Sequence, residues 1–194
     1  MCKGTEGVDA LGRHLAAMNS DEHLILEFQK GSREAFRELF ERYRDPLYGF
    51  FRRRLEHPAR AEELAQECFL ALVRNVARYE PRAGFRSYLY GIAINLISAE
   101  RRKAGREIEQ SDEMDRAAAE ADRDTALWVR RALEQLEKTD REILMLREYE
   151  QLSYSEIAGV LRLPLNTVRS RLFRARMALK EKLMPVQGDV EGLR

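Results

Sequence analysis

Apolar residues recur at intervals of three and four along most of the chain, and this spacing limits its possible folds more than any other feature. In the stretch LPLNTVRSRLFRARMALKEKL, residues 163–183, one stripe of a helix with 3.6 residues per turn collects Val168, Leu172, Ala175, Leu179 and Leu183. Alternating patterns of the kind that strands show are weak throughout the chain. We therefore predict an all-α protein.

Breaks in this periodicity divide the 194 residues into two helical blocks. The sequence 104–122, AGREIEQSDEMDRAAAEAD, is acidic and nearly lacks large apolar side chains, which is typical of a flexible linker. The predicted parts are an N-terminal extension 1–20, a first helical domain 21–103, an acidic linker 104–124, a second helical domain 125–184 and a tail 185–194.

The whole-chain net charge of +1 hides an uneven distribution. Residues 1–103 hold 18 basic and 15 acidic side chains, residues 104–124 hold 3 and 8, and residues 125–194 hold 13 and 10. Two mildly basic blocks therefore flank an acidic segment, so the overall charge does not argue against a nucleic-acid partner.

Several function classes lack any support in the sequence. Cys2 and Cys68 are too few for a disulfide framework, and Cys68 fits a small buried apolar position. The three histidines have no metal-ligand spacing with either cysteine, so we predict no metal. We find no catalytic constellation or phosphate-cradling glycine loop, and we predict no cofactor and no small-molecule substrate. The absence of a long apolar run or a signal-peptide pattern predicts a cytoplasmic protein without membrane insertion.

Capping signals divide the second block into short helices. Thr139 with Glu142, and Ser153 with Glu156, each have the spacing of a capping box. After the second of these, residues 162–165 separate a short helix from the longer basic one. This arrangement favours a helix-turn-helix, with an ordinary corner between two helices as the alternative.

The basic helix carries an apolar side chain where solvation does not need one. It has six basic residues among its last 17, and opposite its apolar stripe lie Ser170, Phe173, Arg174 and Met177. An arginine can bind guanine bidentately and an apolar side chain can rest on a thymine methyl group. A DNA-reading face explains Phe173, whereas a purely solvated face does not.

Three motifs in order resemble the extracytoplasmic-function type of sigma factor of bacterial RNA polymerase. They are AEELAQECFLAL, FRSYLYGIAINLISAERRK and LSYSEIAGVLRLPLNTVRSRLFRAR, and the resemblance covers roughly 35–103 and 125–183. It implies that the first domain is sigma region 2, which binds core polymerase and recognises and melts the minus-10 element. The second would be sigma region 4, which reads the minus-35 element. The implied partners are core RNA polymerase (through the clamp helices of the largest subunit and the flap of the second-largest), promoter DNA and an anti-sigma factor, and the linker would run toward the RNA path.

The resemblance also assigns residues to these roles. The core-polymerase-binding set is Glu63, Gln66, Glu67, Leu70 and Arg74. The set for the minus-10 strand is Tyr79, Arg82, Phe85, Ser87, Tyr88, Asn95 and Arg102, where aromatic rings would stack on unpaired bases. The set for the minus-35 duplex is Thr167, Arg169, Ser170, Arg171, Phe173 and Arg174, with Arg171 directed to phosphate.

The chain departs from the family pattern at a few positions. Arg162 and Asn166 stand where glycine is frequent, so Arg162 implies a different turn or backbone strain, while asparagine tolerates capping or left-handed conformations. Tyr88 stands where tryptophan is common. Three alternatives remain: a conventional DNA-binding regulator, a nucleic-acid enzyme with a helical DNA-binding module, and a helical scaffold of anti-sigma type.

Overall fold

The computed structural model describes residues 20–81, 84–108 and 123–184. Regular structure in these ranges is helical, with eight α-helices and a short 3₁₀ turn, which confirms the all-α prediction. The helices are α1 (Asp21–Gln29), α2 (Arg33–Arg52), α3 (Pro58–Asn75), α4 (Phe85–Ile108), α5 (Arg123–Glu134), α6 (Lys138–Glu148), α7 (Tyr154–Leu161) and α8 (Leu165–Leu183), with the 3₁₀ turn at Val76–Arg78.

The helices form two compact units. Helices α1 to α4 make up the N-terminal unit, and most of α5 to α8 makes up the C-terminal unit. Helix α4 continues to Ile108, beyond the predicted start of the linker at 104. Nearly all of the predicted extension, most of the linker and the tail lie outside the described residues.

The core of the N-terminal unit is built from the inner faces of its helices. Helix α3 begins with Pro58 at a first-turn position, where its fixed φ and missing N–H cost nothing, and it buries Cys68 together with its neighbours on the apolar stripe. Burial raises the pKa of the Cys68 thiol to about 12, so this cysteine is an inert core residue at neutral pH. The fully or nearly fully buried side chains of this unit include Leu39, Leu47, Phe50, Phe51, Leu64, Leu72, Phe85, Leu89, Tyr90 and Ile97.

The C-terminal unit is held by α6 and α8, with α5 also packed on α8. Its buried apolar side chains include Ile143, Leu144, Leu146, Leu152, Ile157, Val168, Leu172 and Ala175. The predicted capping box is present: Ser153 accepts from the Glu156 N–H, and Glu156 accepts from the Ser153 N–H. The prediction of Thr139 as an N-cap is wrong, because Glu137 caps α6 by accepting from the N–H groups of Thr139 and Asp140.

Candidate nucleic-acid interface

Helix α8 has a buried side and an exposed side, as its periodicity predicts. Val168, Leu172 and Ala175 are buried, whereas Leu179 and Leu183 near the end of the helix are only half-buried. The opposite side presents the exposed side chains Arg169, Ser170, Phe173, Arg174 and Met177. Phe173 is 65% exposed, the highest value among the exposed large apolar side chains of the described residues. The helix therefore displays an aromatic ring flanked by guanidinium groups.

Arg171 and Arg176 do not belong to this free face. The Arg171 guanidinium lies 2.6 Å from a Glu137 carboxylate oxygen and 2.8 Å from one of Asp140, and Arg176 lies 2.7 Å from Glu148. These bonds raise the pKa of Arg171, with Asp140 as the larger cause. The structure thus gives Arg171 two carboxylate partners on and beside α6, where the sequence predicts a phosphate contact. Its phosphate contact stays a prediction, and it would compete with these ion pairs.

Thr167 and Ser170 lie on the first turns of α8. Thr167 is half-buried, and the exposed Ser170 donates its hydroxyl hydrogen to the Thr167 carbonyl at 3.1 Å. Asn166 accepts from Arg169 at 3.5 Å and lies inside the helix, so its position needs no glycine. The first two turns of the helix therefore carry two hydroxyl groups beside the arginine-rich face, and that of Ser170 is bonded within the helix.

A polar pocket beside α8 was missed by the sequence reasoning. It has a volume of about 400 Å³, and its lining residues are Arg147, Ser153, Tyr154, Ser155, Leu165 and Arg169. The Arg147 guanidinium lies 5.4 Å from the centroid of the Tyr154 ring and donates to the Leu152 carbonyl at 2.9 Å. The two arginines of the pocket, together with the two serine hydroxyls at the start of α7, can bind a phosphate of the DNA backbone. Arg147 lies close in sequence to Ser153 and Ser155, but only the fold places Leu165 and Arg169 of α8 on the same pocket.

The turn between α7 and α8 has the strain expected from its sequence. Arg162 ends α7 in the left-handed conformation, with φ 54° and ψ 44°, and its N–H donates to the Ala158 carbonyl. A residue with a Cβ atom pays about 1–2 kcal/mol for this conformation. The turn nevertheless forms, since the N–H of Leu163 also reaches the Ala158 carbonyl at 3.0 Å.

The side chains predicted to contact the minus-10 strand are divided between the core and the surface. Tyr79, Phe85 and Ser87 are buried, Tyr88 is half-buried, and Asn95 and Arg102 are exposed. Arg82 lies outside the described residues. Phe85 is fully buried and packs on Tyr43 with ring centroids 5.3 Å apart, so its predicted stacking on a base is inconsistent with this structure. The packed core of the unit takes that ring instead.

Tyr79 is the centre of an aromatic cluster at the end of the 3₁₀ turn. Its ring lies 5.1 Å from that of Tyr88 and 6.5 Å from that of Phe85, measured between centroids. The hydroxyl of Tyr79 is buried and has no hydrogen-bond partner within the described part of the chain. Burial is the main cause that raises the pKa of Tyr79, with the Glu22 charge second. A buried hydroxyl without a partner is costly, so a ligand atom there would be stabilised.

On α3, the predicted polymerase-binding residues share one accessible side. Glu63, Gln66 and Arg74 are exposed, Leu70 is 51% exposed, and Glu67 is half-buried. Beside them a groove of about 380 Å³ is lined by Phe40, Arg44, Asp45, Tyr48, Glu62, Ala65, Gln66 and Phe69. The sequence analysis did not predict the apolar lining of this groove. Helix α2 has apolar residues on two of its faces, and the spacing of apolar residues does not distinguish a face in the core from a face that binds a partner.

The two acids of this set already have a basic partner. Arg60 lies 2.8 Å from Glu63, 3.0 Å from Glu67 and 2.7 Å from Glu100 on α4. Its bonds to Glu100, and then to Glu63, raise the pKa of Arg60. The acids on α3 are thus held by an ion pair within the unit. The exposed Gln66 and Leu70 are the side chains of this set that are best placed to contact another protein.

Neither a cluster of metal-binding side chains nor a helix able to span a membrane occurs in residues 20–81, 84–108 and 123–184. Within them, no group of three or more His, Cys, Asp or Glu side chains is arranged to hold a metal ion. No helix in the same ranges has the length and apolar character needed to cross a membrane.

Comparison with known proteins gives consistent matches along the chain. Residues 39–107 match the family described as Sigma-70 region 2, and residues 126–179 match Sigma-70, region 4. The chain is 31% identical over 189 residues to the RNA polymerase sigma-H factor of Pseudomonas aeruginosa, an alignment that covers 89% of this chain and 98% of that protein. It is 30% identical over 184 residues to the ECF RNA polymerase sigma-E factor of Escherichia coli K12, covering 86% and 96% of the two chains.

A solved structure with the same fold is that of the sigma factor RpoE in complex with the anti-sigma factor NepR from Bartonella quintana. The match has a TM-score of 0.65 at 24% identity and covers 76% of this chain and 96% of that one.

Proposed function

The chain belongs to the extracytoplasmic-function type of sigma factor, the promoter-specificity subunits of bacterial RNA polymerase, and on this basis we propose how its surfaces divide the work of initiation. Its family consists of transcription initiation factors, and its partners are core RNA polymerase and promoter DNA. It acts in the cytoplasm, where polymerase is found, and performs no bond chemistry itself.

The exposed side of α8 reads the minus-35 duplex. Arg169 and Arg174 contact base edges in the major groove, and Phe173 rests on a thymine methyl group. The pocket with Arg147 and Ser155 holds a phosphate beside the reading helix. One observation supports this role above the others: Phe173 is 65% exposed on the face that also presents the exposed Arg169 and Arg174.

The minus-35 role is tested with holoenzyme on a promoter library randomised over the upstream element. Replacing Phe173 with alanine lowers the preference at one or two base pairs by about tenfold, because a specific apolar contact is lost. Met184→Ala is the matched control, since Met184 is an exposed apolar side chain about 16 Å farther along the helix direction. Equal base preferences for Phe173→Ala and the unmodified protein would contradict the proposal that Phe173 reads the minus-35 element.

The accessible side of α3 docks on the clamp helices of the largest polymerase subunit. Gln66 and Leu70 are its most direct contacts, and the groove beside Gln66 receives an apolar side chain of the polymerase. Their replacement by alanine lowers affinity for core polymerase by about tenfold, a typical loss for a central interface residue. Lys30→Ala, an exposed substitution at the end of α1 and outside the groove lining, is the control. A conventional DNA-binding regulator would retain its activity in the Gln66→Ala and Leu70→Ala variants.

The segment around Tyr79 and the exposed side of α4 contact the separated minus-10 strand. Tyr88, Asn95 and Arg102 offer a ring, an amide and a guanidinium along that side. Tyr79 is buried together with its hydroxyl, so its role is to support the half-buried Tyr88 ring, which lies 5.1 Å away between centroids.

Regulation completes the proposal. We expect an anti-sigma factor to hold the protein until a signal releases it, as the family membership implies. Binding of an anti-sigma factor to the α3 side would exclude core polymerase, so competition between the two for the unmodified protein tests this point.

A further inference from the structure

Helix α1 directs two polar side chains at the connection between α3 and α4. Glu22 and Gln29 are seven residues apart and therefore lie on the same face of the helix, two turns from each other. One reaches the start of α4 and the other reaches the 3₁₀ turn. A single short helix thus contacts both ends of the segment that carries Tyr79.

The Gln29 amide holds the 3₁₀ turn through two carbonyl groups. Its Nε2 atom donates to the Val76 carbonyl at 2.7 Å and to the Tyr79 carbonyl at 2.9 Å. Only the NH₂ group can make these two bonds, because both partners are acceptors. Both amide hydrogens are therefore used, and they determine where the chain leaves the turn at Tyr79.

Glu22 fixes the other end. Its carboxylate accepts from the Phe85 N–H at 3.2 Å, at the N-terminus of α4, where a negative charge is favourable. Gly84 directly precedes Phe85 and has φ +70°, a left-handed conformation that favours glycine.

Helix α1 is itself tied to the core of the unit. Asp21 accepts from the Arg42 guanidinium at 2.9 Å and from the Tyr43 hydroxyl, both on α2. Leu24 and Ile25 are buried. The packing of α1 against α2 thus sets the positions of Glu22 and Gln29. Their hydrogen bonds in turn set the position of the 3₁₀ turn and of the start of α4.

We propose that Gln29 is a positioning residue for base selection in the minus-10 strand. This inference rests on the proposed function of the Tyr79 segment. Gln29 touches no DNA; it holds the Tyr79 carbonyl toward α1 and so fixes the buried Tyr79 ring. The half-buried Tyr88 ring packs on Tyr79 at 5.1 Å and is the ring that meets an unpaired base. Without the two amide bonds the segment can shift, and the site then discriminates less between bases while other contacts persist.

The test compares substitutions that keep or remove the donors at this position. Gln29→Met keeps the length and helix preference of the side chain but has no donor, whereas Gln29→Lys keeps donors on a side chain of similar reach. Glu27→Met, on a half-exposed position of the same helix, is the matched control. Each variant is assembled with core polymerase and transcribes a library randomised over the minus-10 and minus-35 elements, and its affinity for core polymerase is measured separately.

The expected result is specific to one element. Gln29→Met lowers base preference in the minus-10 element by about tenfold, the scale of one lost base contact. Its minus-35 preference and core affinity, and all properties of Gln29→Lys and Glu27→Met, stay within about twofold of the unmodified protein.

Several results would overturn the inference. An unchanged minus-10 preference in Gln29→Met, an equal loss on every promoter, or an equal defect in Gln29→Lys each contradicts it. If Gln29→Met does not fold by circular dichroism, Gln29→Leu is also neutral and without donors and carries the same expectation. A lack of any promoter-dependent transcript with the unmodified protein would instead overturn the proposed function, and this inference with it.

Discussion

The two candidate DNA-contacting regions differ in how their side chains are presented. On α8, the reading residues protrude from one helix and Phe173 is 65% exposed, whereas around α4 the predicted strand contacts Tyr79, Phe85 and Ser87 are buried. A duplex has a groove into which a helix can insert, so its reader must project. An unpaired base can leave its stack and enter the protein, so its site is formed by packing. The same residue type, an aromatic ring, therefore has a different role in each unit.

The largest expected effect separates the two aromatic positions by stability. Phe85→Ala lowers the free energy of unfolding by about 3–5 kcal/mol, because it removes a fully buried ring. Phe173→Ala stays within about 0.5 kcal/mol of the unmodified protein, as is usual for exposed positions. Urea unfolding of both variants measures the difference. Similar losses at the two positions would mean that the regions are not packed as described.

A second comparison separates two arginines of α8. Arg174→Ala costs roughly 1–3 kcal/mol at one base position of the minus-35 element, since it removes a base contact. Arg171→Ala weakens all sequences alike and also lowers thermal stability, because Arg171 joins α8 to Glu137 and Asp140. Library transcription and thermal unfolding give the two readouts. A base-specific loss for Arg171→Ala would show that it leaves its ion pairs to read DNA.

These two comparisons also show what a sequence can predict here. The outward position of Phe173 and the capping box at Ser153 depend on residues within one or two helical turns, and both predictions were confirmed. The partners of Arg171 lie 31 and 34 residues away, and those of Gln29 lie 47 and 50 residues away. Spacing along the chain contains no signal for such contacts.

Local competition explains one wrong prediction. Thr139 has a suitable spacing to Glu142, but Glu137 lies two residues earlier and its longer side chain reaches two N–H groups at once. At Arg162, where glycine is frequent in the family, the resemblance left a different turn or backbone strain as alternatives, and the structure shows the left-handed backbone that glycine adopts without cost.

The third expected effect is a gain of stability in the C-terminal unit. Arg162→Gly raises the free energy of unfolding by about 0.5–1 kcal/mol, because glycine adopts the left-handed conformation without strain. The gain is smaller than the strain itself, since glycine also has greater freedom in the unfolded chain. Arg162→Ala is the control, and no such gain is expected from it, since alanine also has a Cβ atom. A matching gain from alanine would point to charge rather than to backbone strain.

The smallest effect concerns pH and the N-terminal unit. Its bond to Arg60 lowers the pKa of Glu100 below the usual range. A carboxyl group with a lowered folded pKa stabilises the protein above its unfolded pKa of about 4.3, and this contribution is lost as pH falls through the folded pKa. The free energy of unfolding of the unmodified protein therefore falls further between pH 7 and pH 3 than that of Glu100→Gln. The difference between the two decreases is up to about 1 kcal/mol. Urea titrations along this range test it, and parallel curves would contradict it.

The most direct test of the account is run-off transcription with purified core polymerase over a promoter library. The account predicts that the protein forms a complex with core and produces transcripts only from promoters with defined minus-35 and minus-10 elements. It also predicts that Phe173→Ala relaxes the first element and Gln29→Met the second. The absence of both the complex and any promoter-dependent transcript would contradict the assignment of this chain as a working sigma factor.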